Sequence, residues 1–242
     1  MDKVSFGHEQ VSPEEKTQRV RGVFSSVARR YDLMNDLMSG GQHRLWKYEF
    51  VRKVHPRKGE AILDMAGGTG DIAFRMAPSG ASITVADINP EMLAVGRERA
   101  KQRGIDGLTW AEQNAETLHF AGRSFDAYTI AFGIRNVTDI PAAMREAHRV
   151  LNYGGRFYCL EFSQTQWPGF DSLYETYSRR VVPKIGKAVA GDEDSYRYLI
   201  ESIERFPDMP GFARMIEAAG FGNVKAEPIL GGLVAIHSGW KI

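Results

Sequence analysis

The chain has 242 residues, 43% hydrophobic and 25% charged, which is ample for a packed core and excludes collagen-like or wholly disordered structure. Its 31 Lys and Arg against 30 Asp and Glu leave a formal net charge of +1, so no global field draws it to nucleic acid. The single cysteine, Cys159, excludes an intramolecular disulfide and a cysteine-built zinc site, and no apolar run is long enough to span a membrane.

Residues 1–12, which include Asp2 and Glu9, read as a loose polar tail and resemble neither a secretory signal nor an Arg-rich transit peptide. Ser12 as N-cap and Pro13 at the first helical position open a helix over 13–28, with Val20, Val23, Phe24 and Val27 at helical spacing. A second amphipathic helix is predicted over 43–54, closed by Pro56 and Gly59. From Ala61 the rhythm changes. AILDMA, ITVADI, LTWAEQ, FDAYTIAF and RFYCLEF read as five strands. A helical stretch follows the first, a helix over 90–103 follows the second, and one over 141–151 precedes the fifth, with NYGG (152–155) as its stop. This alternation predicts an α/β fold, a parallel sheet wrapped by helices. Residues 164–209 break the rhythm and are read as two or three helices. A short helix over 211–220 follows, and then VKAEPIL and GLVAIHSG, joined at Gly231-Gly232, as an antiparallel hairpin.

The segment DMAGGTGD (64–71) lies between the first strand and its helix. Its glycines permit positive φ and close approach of a ligand to the backbone, and N–H groups at a helix start favour an electron-rich group. The plain alternative is a tight strand-to-helix turn. A dinucleotide fingerprint would read GxGxxG, and Gly68-Thr69-Gly70 followed by Asp71-Ile72-Ala73 does not, which counts against NAD. The spacing instead resembles the acid-x-Gly-x-Gly-x-Gly loop of class I methyltransferases. Ala66 stands at the first glycine position and is expected to remain in the β region. Asp87, ending the second strand, is placed to accept both hydroxyls of an adenosine ribose; the alternative is an acid ahead of the helix opened by Asn89 and Pro90. Asn114 and Ala115, after the third strand, offer a flat polar edge for adenine, or an ordinary turn.

Three further stretches, YDLMNDLMSGGQHRLWK (31–47), TIAFGIRNVTD (129–139) and DSYRYLIESI (194–203), join DMAGGTGD and RVLNYGGRFYCLEFS (149–163). Together they closely resemble the ubiquinone/menaquinone biosynthesis C-methyltransferase family, from about Phe24 to the C-terminus. The resemblance implies a seven-stranded, Rossmann-like methyltransferase sheet of order 3-2-1-4-5-7-6 in which only strand 7 is antiparallel. It implies one methyltransferase domain over 1–242: a helical cap at 1–56, a cofactor core at 57–163, a substrate-side helical insertion at 164–209 and a closing part at 210–242. It also implies S-adenosyl-L-methionine as cofactor, with Gly67, Gly68, Thr69, Asp87, Met92, Asn114 and Ala115 around it. Members vary between Ser and Ala at the position of Ala131, so no contact is carried over there.

The implied reaction methylates a ring carbon of a polyprenylated hydroquinol, with no metal. The donor is already activated, so the difficulty lies in the nucleophile. A phenolic hydroxyl has a pKa of about 10, and its anion pushes electron density onto the attacking ring carbon. Arg135, just past the fourth strand, offers a permanent charge and a fork of donors for that phenolate, and Asn136 a group to orient a water or the ring oxygen. The alternative for Arg135 is a buried structural role. Tyr31 is a candidate proton relay or a core aromatic. His43 and Glu161 are candidate bases, and His148 is read as a surface residue.

A polyprenyl tail implies reversible contact with the inner membrane from the cytoplasm. Residues 1–60 carry 12 Lys and Arg against 8 Asp and Glu, a weak pull toward anionic lipid or simply a solvated face. Phe170, Leu173, Tyr174, Tyr177, Val181 and Val182 space apolar groups for a tail groove or a dimer contact. Competing readings are a methyltransferase for a soluble phenol and a non-catalytic scaffold in a quinone-synthesis complex.

Overall fold

A computed structural model describes residues 3–28, 33, 35–36, 39–163 and 193–242. Its centre is β3 (Ala61–Met65), whose AILDM run is buried on both faces because it pairs in parallel with β4 (Ser82–Asp87) on one side and β6 (Phe125–Ala131) on the other. β5 (Thr109–Glu112) extends the sheet beyond β4, and β7 (Leu151–Phe162) extends it beyond β6. The antiparallel pair β8 (Gly222–Ile229) and β9 (Val234–Trp240) completes the order β5-β4-β3-β6-β7-β9-β8, with β9 inserted beside β7. Counted from β3, this is the expected 3-2-1-4-5-7-6 with one antiparallel strand.

Alternation along the strands divides the core between two faces. Leu63, Met65, Tyr128 and Phe157 face α5 (Ile140–Val150) and α7 (Met209–Ala218). Ile62, Val85 and Leu160 face α2 (His43–Val54) and α3 (Asp71–Met76), where Trp46, Phe50 and Val54 are buried. The second helix therefore belongs to the packing of the sheet. A smaller cluster joins α1 (Pro13–Val27) to α6 (Glu193–Arg205) through Val20, Val27, Tyr196 and Leu199.

Several helix starts follow from local chemistry. The Ser12 side chain accepts from Glu15 N, with Pro13 next. Asn89 caps α4 (Pro90–Gln102) by accepting from the N–H groups of Glu91 and Met92. Its amide also donates to Arg21 O and Ser25 Oγ at 3.1 Å each, tying α1 to the sheet.

Two expectations are corrected. The N-terminal segment is a hairpin of β1 (Val4–Phe6) and β2 (Glu9–Val11), with Gly7 at φ 57° in its turn. Packing overrides its polar composition: Phe6 stacks on Tyr198 at 4.2 Å between ring centroids, and Val11 is buried. NYGG does not stop the helix. Phe125 pairs with Leu151 and Ala127 with Arg156, so residues 152–155 bulge out of β7. The end of α5 is instead closed by Lys241, whose Nζ donates to His148 O and Leu151 O at 2.8 Å.

Asn89→Ala removes the cap and the tether together. The expected cost is about 2–3 kcal/mol in a urea melt, with faster amide hydrogen exchange along α1. Unchanged protection of α1 would show that the tether carries no weight.

Candidate active site

A cleft open to solvent lies over the carboxyl ends of β3, β4 and β6. The DMAGGTGD loop forms its floor and α1 crosses above it, contributing Thr17, Val20, Arg21 and Phe24. α1 is anchored on both sides. Lys16 Nζ donates to Val137 O at 2.9 Å beyond β6, and the Asn89 tether holds the β4 side.

The loop geometry excludes side chains where the cleft needs room. Gly68 has φ 52°, and a Cβ on it would lie 2.9 Å from Met92 Cε and 3.7 Å from Asp87 Oδ2, between two walls of the cleft. Ala66 departs from its expected β conformation. It has φ 52°, a strained value for a residue with a Cβ, on the order of 1–2 kcal/mol. Its methyl is accommodated because residue 133 is glycine: a Cβ on Gly133 would lie 2.4 Å from Ala66 Cβ.

Asp87 ends β4 with both oxygens engaged by backbone: Oδ2 accepts from Gly68 N at 2.9 Å and Oδ1 from Asn89 N at 2.8 Å. The carboxylate lines the cleft. Burial pushes its pKa up to about 6, against these backbone donors. Asp64, the acid of the loop, is fully buried on β3. Its Oδ1 accepts from the Thr129 hydroxyl at 2.8 Å, while Oδ2 has no hydrogen-bond partner among the described residues. Burial pushes its pKa up to about 7. The Asn114 side chain turns back to accept from Glu116 N at 3.0 Å, and Ala115 lies buried beside it.

Past β6, Asn136 lines the cleft and Arg135 does not. Asn136 Oδ1 accepts from the Tyr198 hydroxyl at 3.1 Å, and its buried Nδ2 has no partner among the described residues. The Arg135 guanidinium turns to Glu161, donating from Nη1 to Oε1 at 2.6 Å and to Phe132 O at 2.8 Å, with Nε on Ser202 Oγ at 3.2 Å. Burial pushes the Glu161 carboxyl up and Arg135 pulls it back.

An adenosine-bearing amino-acid donor fits this cleft. A carboxylate ends β4 where a ribose is held in such sheets, the loop has no side chain at Gly68, and a buried carboxyl oxygen on β3 lacks a donor among the described residues. The profile of the ubiE/COQ5 methyltransferase family matches residues 12–241. The chain belongs to this family. The ubiquinone/menaquinone biosynthesis C-methyltransferase UbiE of Zymomonas mobilis is 66% identical over 242 residues, covering 100% of both chains. That of Nitrobacter hamburgensis is 54% identical over 248 aligned residues, covering 100% of this chain and 98% of its own. Solved structures agree on the class I methyltransferase fold. A SAM-dependent methyltransferase from Aquifex aeolicus superposes with a TM-score of 0.64 at 12% identity, over 90% of this chain and 98% of that one. A possible histamine N-methyltransferase from Thermotoga maritima gives 0.66 at 18% identity, over 92% and 100%.

Gly67, Gly68, Thr69, Asp87, Met92, Asn114 and Ala115 all meet at the one cleft. Thr69 arrives with its hydroxyl already accepting from Arg99 at 3.0 Å. Arg135 and Glu161 are brought together as an ion pair, in place of a free cation and a free base. His43 is buried at the start of α2, with Nε2 2.8 Å from Asp36 Oδ1, and burial followed by the nearby Lys47 lowers its pKa. His148 is also part-buried, edge-on to Phe221. Tyr31, and Phe170 through Val182, lie outside the described residues. The sequence reading gave no role to one buried cation of the cleft. Lys47 is buried on α2 and donates to Asp71 Oδ2 at 2.9 Å. An isolated Lys on an amphipathic helix carries no signal of burial. Only its i, i+4 relation to His43 marks the inward face.

Because Asp64 has a folded pKa above its ordinary value, the folded protein holds an extra proton between about pH 4 and 7, and stability from this group falls as pH rises through that window. His43 and His237, with lowered values, act in the opposite sense. The difference between Asp64→Asn and the parent isolates the carboxyl. The variant is expected to match the parent at about pH 4, to melt progressively higher than it up to about pH 7, and to keep that margin above. Parallel melting curves would contradict the raised value.

Proposed function

We propose that this chain transfers a methyl group from S-adenosyl-L-methionine to a ring carbon of a polyprenylated hydroquinol in ubiquinone/menaquinone biosynthesis. The acceptor is demethylmenaquinol, 2-methoxy-6-polyprenyl-1,4-benzoquinol, or both. The full-length relationship to the Zymomonas enzyme, 66% identical, carries this reading.

Asp87 would hold the ribose hydroxyls, Asn114 and Ala115 the adenine edge, and Met92 with Gly67, Gly68 and Thr69 the walls around them. When bound, the cofactor supplies a methyl group activated on a sulfonium, so no acid is needed for the leaving group. The residues past β6 act on the acceptor. Asn136 Nδ2, buried and unpartnered among the described residues, would donate to the ring oxygen. Arg135 contributes positive charge one residue away, tempered by Glu161, which favours the phenolate over the phenol. Electron density from that oxygen would reach the ring carbon, which would take the methyl group as its bond to sulfur breaks and a neutral thioether leaves; the ring carbon would then give its proton to water. Tyr31 remains the candidate relay. Holding the ring in line with the methyl group is the large catalytic contribution.

The insoluble tail calls for reversible contact with the cytoplasmic face of the inner membrane. The basic surplus of residues 1–60 and the outward Leu45 and Tyr48 of α2 support this. No helix among the described residues is long and apolar enough to cross a membrane.

With labelled cofactor, label is expected in the reduced acceptor and absent from its oxidised control. Label that passes equally well to a tail-less soluble phenol would favour a different substrate. Asp87→Ala is expected to weaken cofactor binding roughly tenfold to a hundredfold by calorimetry, and an unchanged dissociation constant removes Asp87 from the site.

Arg135→Ala alone strands a buried carboxylate, at a cost of about 3–5 kcal/mol in stability. The double variant Arg135→Met with Glu161→Gln keeps the pocket neutral. It is expected to fold and bind cofactor while turnover drops roughly a hundredfold. Normal turnover in the double variant would make the pair purely structural.

A further inference from the structure

The cleft carries two cations among its described lining residues, and they differ in kind. Arg21 is 44% exposed along its side chain and lies 3.5 Å from Glu112 at the end of β5, at the mouth. Lys47 is 5% exposed along its side chain and sits on the sheet face covered by α2 and α3. An ammonium has three N–H donors, and the hydrogen bonds among the described residues give Lys47 one acceptor, Asp71 Oδ2 at 2.9 Å. Among the described residues the other two N–H groups of this buried charge have no acceptor, a costly arrangement for a purely structural pair.

Position narrows the ligand. The strands run β5, β4, β3, β6 across the cleft floor, roughly 5 Å apart. Asp87 and Asn114 lie at the β4 and β5 end. Lys47 and Asp71 lie toward β3 and β6, on the face to which Ile62 and Asp64 point. Asp64 Oδ2 is the unpartnered acceptor there. A buried cation with spare donors and a buried carboxyl with a spare acceptor therefore stand at the same end. This matches the two ends of an α-amino acid.

We propose that Lys47 is the anchor for the α-carboxylate of the methyl donor, held in place by Asp71. The proposal rests on the reading that this cleft binds S-adenosyl-L-methionine. Asp71 is a positioning residue: it neutralises Lys47 in the free protein and fixes its direction. Burial acts against the Asp71 charge, but Lys47 and Arg75 hold its carboxyl below the usual range, so it remains an anion. The bound carboxylate would take the donors Asp71 leaves unused, shielded from Asp71 by the ammonium between them. Trp46 and Phe50, packed into the core on either side of Lys47 along α2, fix the helix that carries it.

Calorimetry with two adenosine thioethers tests this without turnover. S-adenosyl-L-homocysteine carries the amino-acid end and 5′-methylthioadenosine lacks it. Lys47→Met is expected to weaken S-adenosyl-L-homocysteine roughly tenfold to a hundredfold while leaving 5′-methylthioadenosine unchanged. Asp71 keeps Arg75, at 3.3 Å, as a partner in this variant, so its carboxylate is not stranded. Lys47→Arg is expected to recover part of the loss. Equal weakening of both ligands would reduce Lys47 to a brace for the cleft, and no weakening of either would remove it from the site; both results overturn the proposal. A parent protein that binds neither ligand would overturn the cofactor reading itself.

Discussion

Because β3 is parallel to both of its neighbours, the carboxyl ends of β3, β4 and β6 come out on one edge of the sheet, and the chain must turn there three times to enter a helix or helical turn. Those turns carry the Ala66–Gly70 loop, Asp87 with Asn89, and Gly133 through Asn136. Side chains far apart in sequence are thereby held within one cleft by hydrogen-bonded ladders, which fix them more firmly than surface loops would. The antiparallel β8 and β9 lie at the far edge and leave this convergence undisturbed.

Charge is distributed unevenly over the two faces. Arg135 and Glu161 form a closed pair near α6, each satisfying the other in a dry environment. Lys47 and Asp71 form an open pair on the α2 and α3 face, with donors left over. Buried ion pairs contribute little net stability once desolvation is counted. Their presence here is better explained by what they present to the cleft. In the proposed function the first would supply a tempered positive field beside Asn136, and the second a cation for the ligand's carboxylate.

Local chemistry was readable in the sequence. Ser12-Pro13 and Asn89-Pro90 announce helix starts, the apolar runs announce strands, and Gly231-Gly232 announces the closing hairpin, because each signal is complete within a few residues. The failures needed partners distant in the chain. The hairpin of residues 4–11 depends on Tyr198, the end of α5 on Lys241, and the sequestered state of Arg135 on Glu161 and Ser202. Asp87 was recognisable from its place after a strand. Lys47 was not, since its i, i+4 relation to His43 is the one local mark that α2 turns this residue inward.

The contact between Ala66 and Gly133 links two positions 67 residues apart, with only 2.4 Å between one methyl and the space where another would be. Position 133 is not free to vary by itself. While alanine occupies 66, a side chain at 133 meets it head-on; with glycine at 66, that collision disappears. The tolerated histories of these two sites are therefore ordered, with the change at 66 opening the way for one at 133. The loop that begins the cofactor cleft and the turn that carries Asn136 are joined by a volume that only one of them can fill.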